Sequence, residues 1–163
     1  MPEILEEEYL ELVGDILENE AFLQLKKYYH HSSSIYDHSL RVSYFSYKVA
    51  KVLEMDCYAV ARGALLHDFF TYDWRDYKKN NNNKNHGLEH PKTALRNAKK
   101  HFEVCAKQQD IILKHMWPKV FGFPKYKESV LVTMVDKYCA TEEFYEGYAA
   151  FIKKKVQIST HVS

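Results

Sequence analysis

Only five glycines and four prolines interrupt this chain of 163 residues, and strand-like alternation between turn signals is scarce. Apolar residues recur instead at steps of three and four, the period of helices with one buried face. That combination predicts an all-α fold. The length suits one domain, enough to bury a core and too little for two comfortable ones. We expect a single domain over residues 1–163, with N-terminal cover helices over 4–29, a core over about 35–140 and a C-terminal helix over about 142–155. No internal repeat is present.

Between Ile4 and Tyr29, Leu5, Tyr9, Leu12, Val13 and Ile16 stand at helical spacing. The pattern breaks near Asn19 and resumes over Ala21 to Tyr28, which predicts a cover helix or helical hairpin. His31-Ser32-Ser33-Ser34 supplies N-cap residues, and Ile35, His38, Val42, Phe45, Val49 and Val52 then place His38 on a buried stripe. A third helix is expected from about Cys57 to Phe70, where Val60, Ala64 and His67 share a face. Lys78 to Asn85 is polar and of low complexity, so a loop is expected there. Pro91 predicts a helix start for the run Lys92 to Phe102, with His90 at its N-terminal edge. Helices of about Ala106 to Trp117, Lys127 to Ala140 and Glu142 to Lys155 follow, with Pro118, Gly122 and Pro124 between the first two.

Composition removes several classes of function. Lys and Arg number 23 against 22 Asp and Glu, and the basic residues are dispersed among acidic ones, which argues against a nucleic-acid surface. No run approaches the roughly 20 apolar residues of a membrane span, and the start of the chain is acidic where a signal peptide is basic, so a cytoplasmic protein without a membrane partner is expected. Cys57, Cys105 and Cys139 are odd in number and lack CxxC spacing, as expected of reduced thiols buried like small apolar side chains.

His67-Asp68 closes the apolar run Ala59 to Leu66, and His38, His90, His115 and Asp136 lie around it in the sequence. A single histidine on an apolar face is usually a core residue satisfied by one hydrogen bond. Six imidazoles and carboxylates brought to one pocket are different, because such donors bind divalent metals and can turn water into a nucleophile. Asp136 stands one turn beyond Val132 in an apolar run, where an uncompensated carboxylate is costly and a cation relieves the cost.

The segments His38-Ser39-Leu40-Arg41-Val42, Ala64-Leu65-Leu66-His67-Asp68 and Val135-Asp136-Lys137 together resemble the HD superfamily of metal-dependent phosphohydrolases, whose signature runs His, then His-Asp, then a distant Asp. The resemblance covers roughly Ile35 to Ala140. It implies an HD-domain-like helical bundle with a central metal cleft, and hydrolysis of a small phosphate ester or nucleotide. Members with two metals add two histidines before the last Asp, and His90 and His115 match them; Asp68 would then bridge the cations and take part in catalysis. A mononuclear version would use only His38, His67, Asp68 and Asp136. The metal is expected among Mn, Fe, Co, Ni, Zn and Mg.

Phe69-Phe70-Thr71-Tyr72 departs from the HD-x-G-K form of some cyclic-dinucleotide phosphodiesterases, which weakens that substrate class. Arg75, Lys114 and Lys137 are candidates for holding substrate phosphate, and Asp73 or Asp76 for protonating the leaving group. Tyr72, Trp74 and Trp117 are candidates for stacking on a base, and His86 reads as a solvated loop residue. Two alternatives stay open: a binding or regulatory module that keeps the metal without turnover, and a di-iron oxygenase of the same fold. Phe144, Tyr145, Tyr148 and Phe151 are either core or a homodimer surface.

Overall fold

A computed structural model describes residues 5–30, 33–73 and 85–160, with backbone alone at residue 30 and over 151–160. Arg75, Trp74, Asp76 and most of the Asn-rich run therefore lie outside the described residues. The described chain is an all-α bundle with one two-residue ladder, Tyr29–His30 against Ser33–Ser34.

Helix α1 (Glu7–Leu17) buries Tyr9, Val13 and Ile16 at steps of four and three. Asn19 ends the run and caps the short α2 (Glu20–Leu23), its side chain accepting from the Ala21 and Phe22 N–H groups at 3.0 and 3.3 Å. Helix α3 (Ile35–Val52) begins at Ser34, whose Oγ accepts from the Asp37 N–H at 3.1 Å. Its buried face includes Ile35, His38, Ser39, Val42, Ser43, Ser46, Tyr47 and Ala50. This corrects the expected stripe, since Phe45 is exposed and Val52 is 80 % exposed. Ser43 can take the inner face because its hydroxyl is satisfied there: its Oγ donates to the Ala61 carbonyl at 2.6 Å and accepts from the Tyr9 hydroxyl at 2.8 Å.

Helix α4 (Cys57–Leu65) is capped by Asp56, which accepts from the Ala59 N–H at 2.9 Å. It stops at Leu65 and not near Phe70, so His67 and Asp68 sit in the turn that follows. Arg62 donates to both carboxylate oxygens of Asp15, at 2.5 and 2.8 Å, and to the Leu12 carbonyl at 2.9 Å, binding α4 to α1. Helix α5 (His86–His101) starts earlier than expected, at the Asn85 cap, whose Oδ1 accepts from the Gly87 N–H at 3.0 Å. Pro91 lies inside α5, where its missing N–H removes one bond from the ladder.

Helix α6 (Ala106–Lys114) ends before Trp117. Gly63 lets α4 lie directly against it, because a Cβ there would come within 2.8 Å of Ile111 Cδ1. Helix α7 (Lys127–Thr160) is continuous where two helices were expected. No glycine or proline stands at Ala140-Thr141-Glu142, and Thr141 Oγ1 donates to the Lys137 carbonyl at 2.7 Å, satisfying its hydroxyl within the helix.

Two apolar clusters form the core. One, under the N-terminal cover, joins Tyr9, Val13, Ile16, Phe22, Leu65 and Phe69. The other joins Val42 of α3, Ala64 of α4, Ile111 of α6 and Val132 of α7. His38, His67, His115 and Asp136 stand three or four residues from those four. The helices thus converge with a polar layer capping an apolar one. All three cysteines are free, and Cys105 is exposed, against expectation, because it precedes the first turn of α6. Phe144, Tyr145 and Tyr148 lie on the surface, more than half exposed. No helix among the described residues is long and apolar enough to cross a membrane.

Candidate metal centre

Six side chains from five segments meet at the polar layer: His38 from α3, His67 and Asp68 from the turn after α4, His90 from α5, His115 at the end of α6 and Asp136 from α7. All six are buried. Asp136 Oδ1 lies 3.0 Å from His38 Nε2 and 3.4 Å from His67 Nε2. Asp68 Oδ2 lies 3.6 Å from His67 Nε2, while its Oδ1 lies 3.1 Å from His90 Nε2 and 3.5 Å from His115 Nε2. Two groups could each hold a cation: His38, His67 and Asp68, and Asp68, His90 and His115, with Asp68 common to both.

The far nitrogens explain why the Nε2 atoms face inward. His67 Nδ1 donates to the Ala64 carbonyl at 2.6 Å, His90 Nδ1 to the His86 carbonyl at 2.9 Å and His115 Nδ1 to the Ile112 carbonyl at 2.8 Å. A carbonyl accepts only, so each Nδ1 carries a proton and, whenever the ring is neutral, it is Nε2 that presents a bare lone pair. Those lone pairs converge: His90 Nε2 and His115 Nε2 are 2.8 Å apart. His67 Nε2, shielded from water, makes no hydrogen bond of good geometry among the described residues. Lone pairs and carboxylates pointed at one another repel unless something positive lies between them. The donor set therefore fits one or two divalent cations.

Charge follows the same division. Burial disfavours protonation of His38, but hydrogen bonds to Asp136 and Glu143 and their charges outweigh it and push the imidazole up to about 10. Asp136 is held far below the carboxylate range, since His38 and His67 overcome its burial. Asp68 is likewise depressed, by His67, His90 and His115 against burial. His115 goes the other way: burial, then the neighbouring His67 and His90, lower it to about 3.

Of the expected substrate contacts, Lys137 Nζ donates to the His115 carbonyl at 3.1 Å, beside the centre. Lys114 Nζ is engaged with the Phe121 carbonyl at 2.6 Å. Asp73 is half-buried five residues beyond Asp68, and Arg75 lies outside the described residues. Tyr72 donates or accepts at His86 Nδ1, at 3.1 Å, and Trp117 packs edge-on against Phe123, so both rings have protein neighbours.

Three features were missed in the sequence. His86 is no loop residue: it opens α5 and stacks on His90 at 4.5 Å between ring centroids, because the helix begins a turn before Pro91. Lys119 lies against Gly87, where a Cβ would meet its Cε at 2.8 Å; nothing in the sequence pairs these residues. Glu143 accepts from His38 Nδ1 at 3.0 Å. Its signal was available, since Asp136 and Glu143 are seven apart and share a helix face, but the expected break near Thr141 concealed it.

The HD domain family model matches residues 35–141, and the chain belongs to that family. Its members are for the most part metal-dependent phosphohydrolases, and the metal-binding chemistry expected of the family agrees with the donor set above. Neither the curated proteins nor the solved structures contain a match to this chain.

Proposed function

We propose that this protein is a metal-dependent phosphohydrolase that cleaves a small phosphate ester, with nucleotides as the substrates to test first. The observation that carries the proposal is the convergence of Nε2 lone pairs, each set by an Nδ1 bond to a backbone carbonyl, around the shared carboxylate of Asp68. In this reading His38, His67, Asp68 and Asp136 bind one divalent cation and Asp68, His90 and His115 a second. When bound there, such cations supply Lewis acidity toward phosphoryl oxygens and acidify water.

The chain's own residues do the rest. The Nδ1 bonds orient three imidazoles before any ligand arrives, so little reorganisation is needed. Asp68, almost without exposure, stays ionised and holds both halves of the centre together. Lys137 sits on the His115 carbonyl with its ammonium destabilised by burial, which favours an anionic partner for it. Lys119, over Gly87 one turn before His90, is a second cation for substrate phosphate, while Lys114 would have to leave the Phe121 carbonyl to serve. Arg75 contributes a planar fork for phosphate and Asp73 the proton for the leaving oxygen.

Metal content per chain, measured by elemental analysis on protein purified without chelator, together with turnover of a panel of nucleoside monophosphates, tests the reading. Near two metals are expected, falling to one or fewer in His115→Ala with loss of turnover. Metal-loaded protein that binds a nucleotide saturably and releases no phosphate would replace this reading with that of a binding module, and an air-sensitive absorption band would point to iron and oxidation.

A further inference from the structure

His38 is the only one of the four histidines in the centre whose Nδ1 faces a side chain in place of a backbone carbonyl. Glu143 Oε1 accepts there at 3.0 Å, and Ser33 Oγ donates to the other oxygen, Oε2, at 3.0 Å. Glu143 is 3 % exposed and Ser33 half-buried. Both lie outside the residues that match the family model, Ser33 two positions before its start and Glu143 two after its end.

We propose that Glu143, held by Ser33, is a positioning residue for the metal centre: it fixes the His38 ring with Nδ1 protonated and Nε2 turned toward Asp136. A carboxylate on the far nitrogen does this more strongly than a carbonyl, since it also raises the basicity of the ligating atom. The segments flanking the family core, the ladder at Ser33–Ser34 and the second half of α7, are thereby coupled to one half of the centre. The other half, Asp68, His90 and His115, relies on backbone carbonyls and does not depend on Glu143. The inference rests on the metal-binding part of the reading above.

Titration of metal-free protein with cobalt, followed by visible absorption, separates the two halves. Glu143→Ala should weaken one class of cobalt site by about 10- to 100-fold, the range typical when the partner of a ligating histidine is removed. The second class should keep its affinity. Glu143→Gln retains an oxygen acceptor for the Nδ1 proton and should recover part of the loss; it also carries the test if the alanine variant does not fold. In nitrogen-15 spectra of the metal-free protein, the His38 Nδ1 proton should be slow to exchange in the natural sequence and in Glu143→Gln, and lost in Glu143→Ala. Cobalt affinities unmoved by Glu143→Ala would overturn this inference alone. Equal weakening of both classes would make Glu143 a general structural element and overturn it too. A natural chain that takes up no cobalt would remove the metal reading and this one with it.

Discussion

Beneath α1 the buried groups complete one another, whereas at the junction of α3, α5, α6 and α7 they do not. In the first region Tyr9, Val13, Ile16, Phe22 and Leu25 fill the space between the cover and α4, and the Tyr9 phenol donates to Ser43 at 2.8 Å. In the second, four imidazoles and two carboxylates are buried together, with His90 Nε2 and His115 Nε2 2.8 Å apart and His67 Nε2 making no hydrogen bond of good geometry among the described residues. The cover stabilises the fold without help, and the centre is a region whose own electrostatics a cation improves. A protein of this size can carry such a centre because apolar burial elsewhere offsets it.

The comparison is open to direct attack, beginning with the cover. Ile16→Ala should lower unfolding free energy in urea by about 2–5 kcal/mol, the cost of a cavity in a packed core, while cobalt stoichiometry stays as in the natural chain. A loss of metal in this variant would show that the two regions are not independent. Next is the centre itself. A cation in 100-fold excess over its dissociation constant should stabilise the protein by about 2.7 kcal/mol, and Asp68→Asn should abolish that gain. The metal-free Asp68→Asn protein should be less stable than its parent at neutral pH, because the histidines that hold the Asp68 carboxyl below its ordinary value no longer face a charge; an unchanged thermal midpoint would show that Asp68 serves the cation alone.

Smaller effects sharpen the contrast. Tyr9→Phe removes one bond to Ser43 but leaves Ser43 donating to the Ala61 carbonyl, so a cost of about 1 kcal/mol is expected, read from the urea midpoint. The smallest effect concerns Glu128. Burial would raise its carboxyl, but its own backbone N–H, Lys107 and the Asp56 N–H hold it below the ordinary glutamate value of 4.5. A depressed carboxyl contributes stability that is present above the unfolded value and is lost as pH falls through the folded one. Glu128→Gln should therefore be slightly less stable than the natural chain at neutral pH, with the difference vanishing as the solution is acidified below 4.5. A difference that persists in acid would assign the effect to packing.

Much of this was legible in the residues. The spacing of Tyr9, Val13 and Ile16 announced the cover, Asn19 the break in it, and Ser34 the start of the helix that it caps. The six histidine and aspartate positions were legible as a set through their resemblance to the HD signature and the two histidines that its two-metal members add, with the burial cost of an uncompensated carboxylate supporting Asp136. Boundaries were harder. Pro91 suggested a helix start but sits inside α5, because Asn85 caps the helix earlier. Thr141 suggested a break that its hydroxyl bond to Lys137 removes.

By itself, then, the order of residues determined the helical period, the caps and the kinds of atom available to a metal, since each depends on neighbours within a turn or two of the chain. Only the tertiary structure decided that Ser33, Glu143 and His38 form one hydrogen-bonded line across 110 positions, that His86 stacks on His90 and that Lys119 crosses Gly87. Such meetings are set by how helices pack against one another, and the close approach of α4 to α6 at Gly63 is one of the packing contacts that bring the two halves of the centre together.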